Sequence, residues 1–164
     1  MKKLDPTKAN GPDQIPTRIL KEACNEIAPF LTIILRQSLT TGEVPEDWQQ
    51  ANITAIYKKG DRNQAVNYRP VSLTSICCKT MEHIVYRHII KHLENHQILS
   101  DNQHGFRKHR SCETQLVETV ARSLDKKEQV DTLILDFSKA FDTVPHQRLI
   151  NKMEHYGIKG NIHR

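Results

Sequence analysis

The run Leu133-Ile-Leu-Asp136-Phe-Ser-Lys-Ala-Phe141-Asp142 sets one carboxylate near the end of an alternating apolar stretch. On a strand, Leu133, Leu135 and Phe137 share one face and Asp136 lies on the other. A carboxylate held at a strand's mouth suits phosphoryl-transfer chemistry, where paired divalent ions clamp the attacking and leaving oxygens. Mg²⁺ favours such hard oxygen donors. Five residues on, Phe141 brings a bulky flat ring to the same neighbourhood. Spacing alone favours the plainer alternative, in which Asp136 caps a turn and Phe141 fills a core.

Two basic clusters are the next candidates. Lys58, Lys59 and Arg62 form one; Arg107, Lys108 and Arg110, with His109 among them, form the other. Both fall in Gly-containing, turn-like stretches and so are expected on loops. With a net charge of +5 and a pI near 9.1 they suit a polyanionic partner such as nucleic acid. His88, His92 and His96 repeat every fourth residue along one side of a helix, a spacing that can bind Zn²⁺. No Cys or His completes that cluster at a familiar spacing, so a polar flank beside Ile89 and Leu93 is the preferred reading. No Gly-x-Ser-x-Gly elbow supports a hydrolase, and no Walker-type or dinucleotide loop is present.

These groups need elements to hold them. Asn10-Gly-Pro-Asp13 is a turn signal after an irregular start. Ile19, Leu20, Ala23, Ile27, Leu31, Ile34, Leu35 and Leu39 recur at helical steps, with Gly42 as the stop. Pro29 inside that run predicts a kink or two helices meeting there. Asn52 to Lys58 reads as a strand, 59–62 as a turn and Tyr68 to Leu73 as a returning strand. A long helix is expected over about Ser75 to His96, with Met81, Val85, Ile89 and Leu93 on one face. Ser100 to Arg110 is a loop, and Ser111 an N-cap for a helix to about Lys126. A strand at 133–137 and a helix from Pro145 to Tyr156 follow. The 164 residues suffice for one domain of α+β class. No run of about 18 apolar residues occurs, so no membrane contact is expected. The charged N-terminus lacks a signal peptide's apolar segment. Cys24, Cys77, Cys78 and Cys112 include an adjacent pair, which suits reduced thiols inside a cell better than a disulfide framework.

Four ordered blocks carry a resemblance. Asp136-Phe-Ser-Lys-Ala-Phe-Asp142-Thr-Val-Pro-His146 resembles motif A of reverse transcriptases from non-LTR (LINE-type, jockey-like) retrotransposons. Asn10-Gly-Pro-Asp-Gln-Ile-Pro16 resembles the family's N-terminal Gly-Pro-Asp-Gly-Ile-Pro motif, with Gln14 in place of the usual glycine. Val44-Pro-Glu-Asp-Trp48, Ala55-Ile-Tyr-Lys-Lys-Gly-Asp61 and Asn67-Tyr-Arg-Pro-Val-Ser-Leu73 resemble its fingers motifs. Gln103-His-Gly-Phe-Arg107 followed by Ser111-Cys resembles its Gln-x-Gly-Phe-Arg block. The likeness runs over roughly residues 8 to 160.

The resemblance implies a right-hand polymerase: an irregular segment 1–16, fingers over 17–128 and the start of a palm over 129–164. It implies RNA-templated DNA synthesis on a DNA primer from dNTPs with Mg²⁺. Asp136 would be the catalytic metal ligand, joined by the Phe137 carbonyl. Phe141 would crowd the ribose 2′-oxygen, excluding ribonucleotides by clash. Lys58 or Lys59, with Arg69, would grip the triphosphate, and Arg107, Lys108 and Arg110 the template backbone. Asp142 is read as a cap of the last helix. The second and third carboxylates of such enzymes lie in a Tyr-x-Asp-Asp hairpin, which is absent here, so the isolated chain is expected to be inactive. The alternative is a non-catalytic nucleic-acid-binding remnant of a polymerase. No protein partner is inferable; the expected site of action is intracellular, in the nucleus or a cytoplasmic ribonucleoprotein.

Overall fold

The computed structural model describes residues 1–125, 127, 129, 131–137 and 139–163. It divides into two compact units, Met1–Ile89 with Ile158–Arg164, and Ile90–Gly157. The mixture of helices with a small antiparallel sheet is compatible with α+β.

In the first unit, helices α1 (Thr17–Glu22) and α2 (Cys24–Thr41) follow the expected periodicity. Their core joins Leu20, Leu31 and Leu35 to Ile76 and Cys77, with Ile27, Trp48 and Met81 packed alongside. The break between the helices comes at Ala23, and Pro29 lies within α2. Pro29 takes away the amide that would bond the Asn25 carbonyl, but both residues are exposed, so water can replace it. Breaking at Ala23 instead turns Leu20 toward the core that Leu31 and Leu35 enter. Gly42 ends α2 in the left-handed conformation (φ 78°), its N–H donating to the Ser38 carbonyl at 2.8 Å.

Strands β1 (Ala51–Tyr57) and β2 (Tyr68–Thr74) pair antiparallel, from Ala51 opposite Thr74 to Tyr57 opposite Tyr68. β2 runs straight into α3 (Ile76–Asn95) through Ser75, which is fully buried. Ser75 Oγ accepts the amides of Cys77 (3.1 Å) and Cys78 (3.4 Å), capping the helix. The N-terminal turn leans on this junction. A β-carbon on Gly11 would stand 2.5 Å from Ser75 N and 2.7 Å from Thr74 C.

Gln14 closes that turn, its N–H donating to the Gly11 carbonyl at 3.1 Å, with φ at 53°. The resemblance implies glycine at this position, and a left-handed backbone is one that glycine adopts without steric cost. Gln14→Gly is expected to raise stability by about 0.5–1 kcal/mol, the left-handed strain removed less the extra chain entropy of glycine. A urea midpoint that stays put or falls would contradict this.

The second unit holds the end of α3, the 100–110 loop, α4 (Cys112–Asp125) and α5 (His146–His155). Ser111 caps α4 as expected: its Oγ accepts the Thr114 amide at 3.2 Å, and Thr114 Oγ1 accepts the Ser111 amide at 2.9 Å. The expected helix end at Lys126 lies outside the described residues, as does Ser138 of the Asp136 run.

The strand expected at 133–137 is not formed. Leu133, Ile134, Leu135 and Phe137 are all at least three-quarters exposed. Alternation supplies an apolar face, but a strand also needs a ladder for its amides and carbonyls. Among the described residues the only ladder is that between β1 and β2, in the other unit.

Candidate nucleotide and nucleic-acid sites

The β1–β2 hairpin orders the first basic cluster. The Lys58 amide donates to the Asn67 carbonyl at 2.8 Å, which carries the ladder one step past Tyr57. Alternation then puts Lys58, Ile56 and Thr54 on one face, with Arg69 (opposite Ile56) and Val71 beside them. Lys59 instead starts the turn. All three cations are exposed and, among the described residues, make no ion pair.

The turn is tied down on its own account. Tyr57 donates its hydroxyl to the Gly60 carbonyl at 2.5 Å, and Tyr68 donates to the Arg62 carbonyl at 2.9 Å. The Asn67 side-chain Nδ2 donates to the Asp61 carbonyl at 2.7 Å. The two tyrosine rings meet edge to face at 5.7 Å, and the Arg62 guanidinium lies 5.0 Å from the Tyr57 centroid. Arg62 therefore braces the turn, while Lys58 and Arg69 remain available to an anion. The flanking tyrosines were passed over in the sequence. Their positions, one on each side of the turn, were the signal.

The second basic cluster lies on the expected loop, and two of its cations are tied down within it. Arg107 donates to the Ser100 carbonyl at 2.9 Å. Arg110 donates to the Asp101 carboxylate at 3.1 Å and also to the Asp101 carbonyl. Both guanidinium side chains are largely covered, at 15% and 25% exposure, whereas Lys108 is exposed. Buried His104 anchors the same loop to α4. Its Nδ1 is in hydrogen-bond contact with Thr114 Oγ1 at 2.9 Å. His104 Nε2 lies 3.5 Å from the Glu118 carboxylate.

Asp136 is exposed, in the irregular 131–137 segment, and Phe137 beside it is 80% exposed. A turn follows, with the amides of Asp142 (3.0 Å) and Thr143 (3.1 Å) both bonding the Lys139 carbonyl. Asp142 does not cap the last helix. Pro145 occupies that place, since its fixed φ and missing amide suit a helix start and Asp142 is spent in the preceding turn. Phe141 meets the Phe106 ring edge to face, with centroids 6.1 Å apart and planes at 84°.

Asp136 offers a hard oxygen donor suited to Mg²⁺, but one carboxylate cannot hold two divalent ions in place. No group of three or more His, Cys, Asp or Glu side chains among the described residues converges on a metal position. The donor set therefore fits a single contact to an ion and not a complete site. Each of the three helical histidines spends a ring nitrogen on a backbone carbonyl: His88 on Ile84 (2.8 Å), His92 on Tyr156 (2.7 Å) and His96 on His92 (2.9 Å). Burial pushes the Cys77 thiol up, and Cys78 rises to about 11 through burial and the neighbouring Glu82 carboxylate. Both stay protonated at neutral pH, which makes them poor ligands and poor nucleophiles. All four cysteines are free, and no described helix is long and apolar enough to cross a membrane.

Lys58 and Arg69 thus come together in the first unit, and Phe106, Phe141 and Asp136 belong to the second. Residues 56–164 match the family described as reverse transcriptase (RNA-dependent DNA polymerase). The chain is 29% identical, over 96% of its length, to a probable RNA-directed DNA polymerase from transposon BS of Drosophila melanogaster. It is 30% identical, over 85%, to the probable polymerase from the same fly's transposon X-element. It is 31% identical, over 92%, to the RNA-directed DNA polymerase from mobile element jockey of Drosophila funebris. The chain spans only 16–18% of the length of these relatives. With the family match covering most of the chain, and these relatives of mobile elements agreeing along it, the chain belongs to the reverse transcriptase family.

Proposed function

We propose that this chain is the fingers and the opening of the palm of an RNA-directed DNA polymerase of a mobile element. Fingers would cover 17–128 and the palm begin at 129. Within it, Lys58 and Arg69 bind the triphosphate of the incoming dNTP. The supporting observation is the hairpin register, which sets these two cations on one face and leaves Lys59 in the turn. A guanidinium forks onto two phosphate oxygens while an ammonium contributes a point charge, so the pair suits a chain of phosphates.

Asp136 and the Phe137 carbonyl are the Mg²⁺ contacts in this reading, the ion serving to stabilise charge on the phosphates when bound. Phe141 excludes the ribose 2′-hydroxyl. Lys108 contacts the RNA template or the DNA primer backbone directly. Arg107 and Arg110, held by Ser100 and Asp101, shape the loop that presents it and add positive potential. With one catalytic carboxylate, the 164 residues alone do not extend a primer; Mg²⁺-dependent product from the purified chain would refute this.

The triphosphate assignment is tested on the chain as it stands, by dNTP titration in low salt. Lys58→Ala and Arg69→Ala are each expected to weaken binding about tenfold, the scale of one charge-assisted contact. Lys59→Ala should weaken it less than threefold, the scale of a screened surface charge. Equal losses at Lys58 and Lys59, or none at Arg69, would overturn the assignment.

A further inference from the structure

Phe106 is not spoken for by the triphosphate, metal or template roles above, yet it is placed with some force. Its φ is 60°, a left-handed backbone that a bulky side chain adopts only when its surroundings impose it. The loop supplies that imposition. Arg107 is tethered to Ser100, Arg110 to Asp101, and His104 to Thr114 of α4, so the backbone on both sides of Phe106 is held. Gly105 next to it has open space around its α-carbon, so crowding there is not the cause. The ring is 75% exposed. It meets the edge or face of Phe141, itself 79% exposed, in the geometry that aromatic pairs prefer.

We infer that Phe106 is a positioning residue for Phe141 and thereby sets how strictly the polymerase excludes ribonucleotides. This rests on the reading of Phe141 as the ring that crowds the 2′-oxygen. Exclusion by clash works only when the clashing group cannot swing away. Among the described residues no strand holds the turn that carries Phe141, and the Phe106 ring lies against its side. The tethered 100–110 loop thus becomes a second determinant of sugar selectivity, at a distance in sequence from the ring that touches the nucleotide.

The test is done in a polymerase of the relatives' full length carrying this segment, with dNTP and rNTP incorporation measured side by side. Phe141→Ala should lower discrimination against rNTPs strongly. Phe106→Ala should lower it about 3- to 10-fold, through a smaller KM for the rNTP, with kcat and KM for the dNTP held. In the Phe141→Ala background, Phe106→Ala should add nothing. Phe106→Tyr, which keeps the ring, should restore selectivity. A folding defect would instead depress kcat for both sugars alike, and that pattern, or unchanged discrimination in Phe106→Ala, overturns the inference while leaving the polymerase reading intact. Unchanged discrimination in Phe141→Ala itself would remove the gate reading and this inference together.

Discussion

Asp136→Asn, introduced into a polymerase of the relatives' length, is expected to slow primer extension by about 10³-fold or more with little change in dNTP affinity. The reason is charge. Asparagine is nearly the same size as aspartate but lacks the full negative charge that a divalent ion needs from its ligand. Metal stabilisation of a phosphoryl transition state is worth several kcal/mol, and about 4 kcal/mol corresponds to roughly 10³ in rate. The substitution should leave the fold alone, because Asp136 is exposed and lies in no helix or strand. Thermal melts of the Asp136→Asn and parent proteins should therefore superimpose. A variant that extends primers at near the parent rate would remove Asp136 from the chemistry, and with it the metal role proposed for the Phe137 carbonyl.

The second large effect concerns stability. Gly11→Ala should destabilise the first unit by about 3 kcal/mol, at the upper end of ordinary overpacking. The new methyl would stand 2.5 Å from Ser75 N and 2.7 Å from Ser75 Cα. Those are backbone atoms at the start of α3, and Ser75 is committed to capping that helix, so neither side can give way cheaply. Against a total stability of about 5–15 kcal/mol, such a loss is large. Gly105→Ala supplies the control, since a β-carbon there has nothing within 4 Å. Urea titration should move the Gly11→Ala midpoint well below that of Gly105→Ala. Matching midpoints would mean that the N-terminal turn does not pack on the β2–α3 junction in solution.

That contact also explains why the Asn10-Gly-Pro-Asp13 turn and the Arg69-Pro-Val-Ser-Leu73 strand belong to one unit despite their separation in the chain. A glycine that looks like a simple turn signal is needed for close approach of two backbones. The same turn accounts for the strain at Gln14.

Much was legible in the residues themselves. Helical periodicity located α2 and α3, Gly42 marked the end of one, and Ser111 marked the start of α4. The Lys-Lys-Gly-Asp stretch located the hairpin between β1 and β2, and the ordered motifs identified the family. Each of these rests on interactions within a few residues, where side-chain type and spacing decide the outcome. What only the tertiary structure decided involves partners far apart in sequence. Register with β2 separates Lys58 from Lys59. The helix break lies at Ala23 and not at Pro29, with Leu20, Leu31 and Leu35 in one core. Asp101 and Ser100 occupy Arg107 and Arg110, which the sequence offers simply as charge. The want of a ladder partner leaves 133–137 irregular although its alternation is that of a strand. Alternation, charge and proline are properties of a single segment, whereas pairing, burial and neutralisation belong to two segments at once.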